Sequence, residues 1–271
     1  MKKRLIFVAL ACLMLLSGCA STPGKDPETW KLKQFEGCFT EKFETSTETY
    51  QLLEGTAEEN TVHVLHGSEE GPVIYVVAGV HGDEQAGWRA GNLLKEATLK
   101  AGTVYIVSPA NVYGAREDQR RTKEKWDLNR SFPGDPNGGD AARIAWSIYS
   151  DIQDKQPVLV LDLHEAVPKE DDYAALGANY DALGNSLICH SLDGIGEMVL
   201  DLLLASEKGE LCSSPFILYN APPEGSVNHT MTTELGIPSI TVETLRSEPL
   251  AQRVQNQLEI VQYILTSYGL R

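Results

Sequence analysis

The stretch V-L-V-L-D-L-H-E, residues 158–165, decides how the rest of the chain is read. Val158–Leu163 is its most apolar strand-length run, with no polar alternation to leave one face in water. A strand covered on both faces belongs to a mostly parallel sheet with helices packed on each side. The histidine that follows, His164, then stands at the carboxyl end of a buried strand. That is the edge where open α/β sheets place their active sites.

The same arrangement recurs outward from this segment. Val73–Ala78 is a second continuous apolar strand, and V-A-G-V-H-G-D-E-Q-A-G, residues 77–87, carries His81 and Glu84 just beyond its end. Helical spacing then runs over Glu84–Ala101, with Trp88, Leu93 and Leu94 on one face. Thr103–Ser108 reads as a strand, and Asp140–Lys155 as a helix with Asp140 as its N-cap. Gly194–Ser206 and Pro249–Ser267 are helical, and Ser239–Glu243 is the last strand. Two alternating stretches near the start, Thr45–Leu53 and Thr61–Leu65, predict an antiparallel pair. The expected fold is α/β: a mostly parallel mixed sheet flanked by helices, in one domain. A chain of 271 residues suits a single core of that kind.

Composition narrows the function classes. The chain is 42% hydrophobic and 23% charged, ordinary values for a globular protein, and its formal net charge is -15. Nucleic acid is excluded as an expected partner, because phosphate binding needs a basic surface. The sequence has no G-x-S-x-G, so a serine hydrolase built on a nucleophile elbow is not expected.

The N-terminus departs from the average. Lys2, Lys3 and Arg4 precede an apolar run from Leu5 to Leu16, which suits a signal peptide and falls short of the ~20 residues of a spanning helix. Leu16-Ser17-Gly18-Cys19 resembles the lipobox of bacterial lipoproteins. The expectation is a signal peptide over 1–19, acylation of Cys19, a tether over 20–41, and a catalytic domain over 42–271. The protein would then work outside the cytoplasm, lipid-anchored to a bacterial membrane. With Cys12 lost and Cys19 acylated, Cys38, Cys189 and Cys212 remain. One pair, such as Cys189–Cys212, or three free thiols both fit an oxidising compartment.

Two imidazoles and one carboxylate with an open fourth position make a catalytic zinc set, here His81, Glu84 and His164. Mn²⁺ or Co²⁺ would also suit these donors. Asp162 either orients a ligand or caps the next turn. Arg116, Arg120, Arg121 and Arg130 lie in one loop-length stretch, residues 111–134. Asn129 and Arg130 stand just before a rigid Ser-Phe-Pro-Gly turn, and an arginine fork pairs bidentately with a carboxylate. Glu243 closes a β-branched strand, where a buried carboxylate needs a task or a partner. Of the remaining histidines, His63 and His66 read as structural, while His190 and His229 could each line the site.

Four ordered motifs carry a resemblance: G-V-H-G-D-E (79–84), D-L-N-R-S-F-P-G (127–134), D-L-H-E (162–165) and G-I-P-S-I-T-V-E-T (236–244). Over roughly residues 60–270 the chain is similar to zinc carboxypeptidases of the M14 clan, in the succinylglutamate desuccinylase/aspartoacylase-like branch. The resemblance implies one zinc ion per chain held by His81, Glu84 and His164, with Asn129 and Arg130 binding a substrate carboxylate. It implies an upstream arginine that polarises the scissile carbonyl, with Arg121 the better fit and the adjacent Arg120 left open, and Glu243 as the base. Tyr219 stands near the place of a mobile substrate-binding tyrosine. The implied activity is hydrolysis of an amide beside a free carboxylate, on an N-acyl amino acid. A surface carboxypeptidase or amidase acting on peptides, such as cell-wall peptides, is the alternative, and a non-catalytic binding lipoprotein a remote one.

Overall fold

The computed structural model describes residues 23–24, 26–166 and 184–271. The expected signal peptide and Cys19 lie outside the described residues. The described residues form one eight-stranded sheet in the order β1-β2-β4-β3-β5-β8-β6-β7. The strands are β1 (Thr45–Leu52), β2 (Asn60–Gly67), β3 (Glu69–Ala78), β4 (Ala101–Val107), β5 (Leu159–Ala166), β6 (Ser186–Ile188), β7 (Ile217–Tyr219) and β8 (Ser239–Leu245). Pairing is parallel through β4-β3-β5-β8 and between β6 and β7, and antiparallel for β1-β2, β2-β4 and β6-β8. The mostly parallel mixed sheet predicted from the apolar runs is therefore the observed one.

Burial follows from the sequence. All eight residues of β5 are buried, as an unalternating run requires. One face of the central strands turns Ile74, Val76, Leu161, Leu163 and Val242 toward helices α1 (Gln85–Leu94), α4 (Gly196–Glu207) and α6 (Leu250–Ser267). The other turns Tyr75, Val77 and Val160 toward α3 (Asp140–Lys155) and α5 (Val227–Glu234). In α3 the buried Ala141, Ile144, Ala145, Ile148 and Ile152 recur at three- and four-residue intervals, the stripe of a helix packed on one side.

Three local expectations are corrected. The helix beginning after Glu84 ends at Leu94, and Ala101 opens β4; Ala97, Leu99 and Ala101 prolong the helical pattern but are buried by the connecting turn and the sheet. Asp140 is the first residue of α3, and Gly139 is its cap. The Asp140 carboxylate instead accepts hydrogen bonds from Thr122 Oγ1 and Glu124 N, both at 2.7 Å, and so fixes the arginine-bearing loop. That loop contains a short helix, α2 (Val112–Glu117), and a helical turn at Leu128–Arg130.

The third correction concerns the tether. Residues 27–41 pack onto the domain: Trp30, Leu32, Phe35, Cys38 and Phe39 all join the core against α1 and α6. Leu32 N donates to Glu96 Oε2 at 3.2 Å, Gln255 Nε2 donates to Glu36 O at 2.7 Å, and Phe39 N donates to Gln262 Oε1. Charged residues interleave with the aromatics, so the linear pattern looks polar although the folded segment is an arm of the core. Truncating a buried aromatic costs roughly 3–5 kcal/mol. Phe35→Ala is therefore expected to lower the melting temperature by about 10 °C in calorimetry. An unchanged transition would return this segment to the status of a leash.

Candidate metal centre

Three adjacent parallel strands bring the polar residues together at their carboxyl ends. β3 leads into His81 and Glu84, β5 carries Asp162, His164 and Glu165, and β8 carries Glu243, opposite His164 in the strand register. The ligand loop is shaped by two glycines. Gly79 takes φ of 73°, a left-handed turn that bends the chain out of β3. A Cβ on Gly82 would lie 1.9 Å from the Gly114 carbonyl carbon, so only glycine lets this loop rest on α2.

Among the described residues, His81, Glu84 and His164 each offer one ligand atom, all within 4.8 Å of one another, and all three side chains are buried. Glu84 lies between the rings: His81 Nδ1 is 2.7 Å from Oε1, and His164 Nδ1 is 2.7 Å from Oε2. The Glu165 backbone N–H donates to Oε2 at 3.0 Å, and Arg120 Nη1 to Oε1 at 3.2 Å. Burial alone would raise the Glu84 carboxyl, but His81 and His164 outweigh it and hold the group well below the usual carboxylate range. Burial would likewise lower His164, yet Asp162 and Glu84 raise it well above an ordinary imidazole.

The far nitrogen of each ring also faces a carboxylate. His81 Nε2 is 3.0 Å from Asp127 Oδ1, and His164 Nε2 is 3.0 Å from Asp162 Oδ2, the latter off the line of a hydrogen bond. A neutral imidazole donates from one nitrogen only, so a ring between two carboxylates is either doubly protonated or holds a cation at one nitrogen. A divalent ion at the Nδ1 atoms would leave Nε2–H to the aspartates, the arrangement by which carboxylates orient ligating histidines. The donor set fits such an ion.

Glu243 sits beside this cluster. Its Oε2 is shut from solvent and has no hydrogen-bond partner among the described residues. Burial pushes its carboxyl up to about 8, a shift that His164 opposes and Glu84 reinforces. Gln257 of α6 fastens the two strands behind it, donating from Nε2 to His164 O at 2.7 Å and to Val242 O at 3.2 Å.

The arginines separate clearly. Arg121 is exposed and its Nη1 donates to Lys125 O at 3.2 Å, away from the cluster. Arg120 turns inward, onto Glu84 and onto Asp127 Oδ2 at 3.1 Å. Of the two neighbours, Arg120 and not the better-fitting Arg121 is the one that points toward the cluster; in a loop without periodicity the sequence could not say which turns in. Asn129 is buried, its Oδ1 accepting from Val227 N at 3.1 Å, and its Nδ2 has no partner among the described residues. Arg130 is exposed, with Nη1 donating to Asn129 O at 2.7 Å. Tyr219 lies on the edge strand β7, packed against Ala166 and Ile188. His190 and His229 pair with each other, ring centroids 5.1 Å apart, and His229 lies in the first turn of α5 rather than in a loop.

Sequence reasoning missed Asp127, whose signal was its place as the first letter of D-L-N-R. It also missed Arg246, one residue beyond β8, which pairs with Asp83 at 3.2 Å and approaches Glu84 Oε1 to 4.0 Å.

Fold and site together define an α/β protein of the carboxypeptidase-like type, with a two-histidine, one-glutamate centre at the carboxyl edge of its sheet. The chain matches the Succinylglutamate desuccinylase/Aspartoacylase catalytic domain over residues 70–267, and it belongs to that family. It is 36% identical over 100 residues to an N-alpha-acetyl-L-2,4-diaminobutyric acid deacetylase from Halomonas elongata, a match covering 35% of this chain and 29% of that protein. An aspartoacylase family protein from Mesorhizobium loti has a similar structure, with a TM-score of 0.61 at 22% identity over 86% of this chain and 69% of the other. Csd4 of Helicobacter pylori, a D,L-carboxypeptidase, gives 0.63 at 20% identity over 74% and 52%.

Loss of an aspartate that orients a ligating histidine typically costs 10–100-fold in metal affinity. Asp127→Ala is expected to weaken zinc binding by about that factor in competition with a chelator. Wild-type affinity in that variant would show that Asp127 does not orient His81.

Proposed function

We propose that the chain is a zinc-dependent hydrolase that cleaves an amide beside a free carboxylate, in the manner of the N-acyl amino acid deacylases of its family. The observation that carries this reading is the buried His81–Glu84–His164 cluster, with Glu243 beside it on the neighbouring strand, its buried Oε2 without a hydrogen-bond partner among the described residues. A zinc ion held by those three residues would supply Lewis acidity and an acidified water. The protein's own groups account for the rest. Glu243, with its raised pKa, suits a base that takes the proton of the attacking water and returns it to the leaving nitrogen. Arg120 is the cation nearest the cluster and would donate to the oxyanion that develops on the carbonyl. Asn129 Nδ2 and the Arg130 fork would hold the substrate carboxylate, with Tyr219 closing on it from the edge of the sheet.

Glu243→Gln is expected to retain zinc and fold while losing about 10²- to 10⁴-fold in kcat on an N-acetyl amino acid. Arg120→Ala should lose about 10- to 100-fold in kcat/KM, as removal of a charged hydrogen bond does, whereas Arg121→Ala should stay near wild type. A panel of N-acyl amino acids, their C-terminal amides and short peptides tests the substrate class. Equal cleavage of acid and amide would remove the carboxylate clamp, and turnover of peptides alone would favour the carboxypeptidase.

The proposed address is extracytoplasmic, lipid-anchored to a bacterial membrane through acyl chains on Cys19. It rests on the basic start, the apolar run Leu5–Leu16 and the lipobox-like Leu16-Ser17-Gly18-Cys19. Two or more acyl chains give stable anchoring. Cys19→Ala should shift the protein out of the membrane fraction or leave it unprocessed. Unchanged fractionation and migration of that variant would exclude the anchor.

A further inference from the structure

We infer that Cys38 and Cys212 are a redox pair, closing a disulfide that staples the N-terminal arm to the loop before β7. The two thiols come from distant parts of the chain, yet both descend on the same turn of α6. Gln255 Nε2 donates to Cys38 Sγ at 3.4 Å and to Glu259 Oε1 at 2.6 Å. Glu259 Oε2 in turn accepts from Cys212 N at 2.6 Å, and the Cys212 thiol donates to Asn256 O at 3.7 Å. One Gln–Glu contact thus spans from one cysteine to the other. Cys212 also takes φ of 64°, a left-handed conformation uncommon for a residue that carries a side chain. That conformation accompanies the seating of the Cys212 thiol on the α6 backbone at Asn256 O.

The geometry also decides against Cys189–Cys212. β6 and β7 are parallel, with Ser186 opposite Ile217 and Ile188 opposite Tyr219. Cys212 precedes the first of these pairs and Cys189 follows the last, at the opposite end of the strands. All three thiols are free in the described structure.

The reaction balances as thiol–disulfide exchange. Two S–H bonds are lost and one S–S bond forms between Cys38 and Cys212. Two electrons and two protons pass to an external disulfide, carried by a small thiol or a thiol oxidoreductase, which leaves as two thiols. Burial and then Glu259 raise both thiols, so exchange is slow once the arm is docked and faster while it is open. Closing a loop of this length stabilises mainly by constraining the unfolded chain.

The test is to incubate the full-length protein with glutathione disulfide, denature and alkylate it, and map the unreduced peptides. The expected result is a Cys38–Cys212 linked peptide with Cys189 alkylated as a free thiol. The oxidised protein should melt about 5–10 °C above the reduced one. The half-exposed Cys212→Ser should abolish that difference, and it serves if Cys38→Ser does not fold. Recovery of Cys38 and Cys212 as separate free or glutathione-capped thiols, or of Cys212 joined to Cys189, would overturn the pair. A linked peptide with no rise in melting temperature would overturn the staple.

Discussion

A carboxylate taken wholly out of water must be surrounded by donors, and Glu84 is such a group. Its two oxygens are met by two imidazoles, a backbone N–H and a guanidinium, drawn from three separate segments. Each donor is held in turn: His81 by Asp127, the His164 strand by Gln257, and Arg120 by Asp127. Removing any member leaves a buried charge uncompensated, so the cluster constrains where β3, β5 and the arginine loop can sit. The parallel sheet supplies the platform, and Glu84 sets the register of what stands on it.

The sheet resolves an apparent conflict between burial and polarity. Its central strands are largely apolar on both faces, and their buried charged residues gather toward the carboxyl ends. Glu165 illustrates the cost. It is buried and pairs with Arg253 of α6 while accepting from Ala86 N at 3.1 Å in the first turn of α1. A helix N-terminus and an arginine together offset part of what burial costs that acid, whose carboxyl is still raised by burial.

Much of this was legible in the chain. His81, Glu84, His164 and Glu243 stood out because each follows a run that reads as a buried strand, where polarity is conspicuous. The loop residues were not legible to the same degree. Arg120 and Arg121 have no periodic context, and what selects between them is Asp127, folded back from seven residues on. The three-residue strands β6 and β7 are too short to carry a pattern. The arm escaped notice because Trp30, Leu32, Phe35 and Phe39 are spaced for two single helical turns rather than for one helix or strand.

The docked arm changes the distance over which the domain can range. A free stretch over residues 20–41 would span at most about 75 Å when extended. With packing beginning at Pro27, only residues 20–26 separate an acylated Cys19 from the folded body, a reach of about 25 Å. That is less than the diameter of roughly 45 Å expected of a compact domain of this size. A protein anchored in this way would roll over the bilayer rather than range above it, and its centre would sample molecules within one protein diameter of the lipid surface.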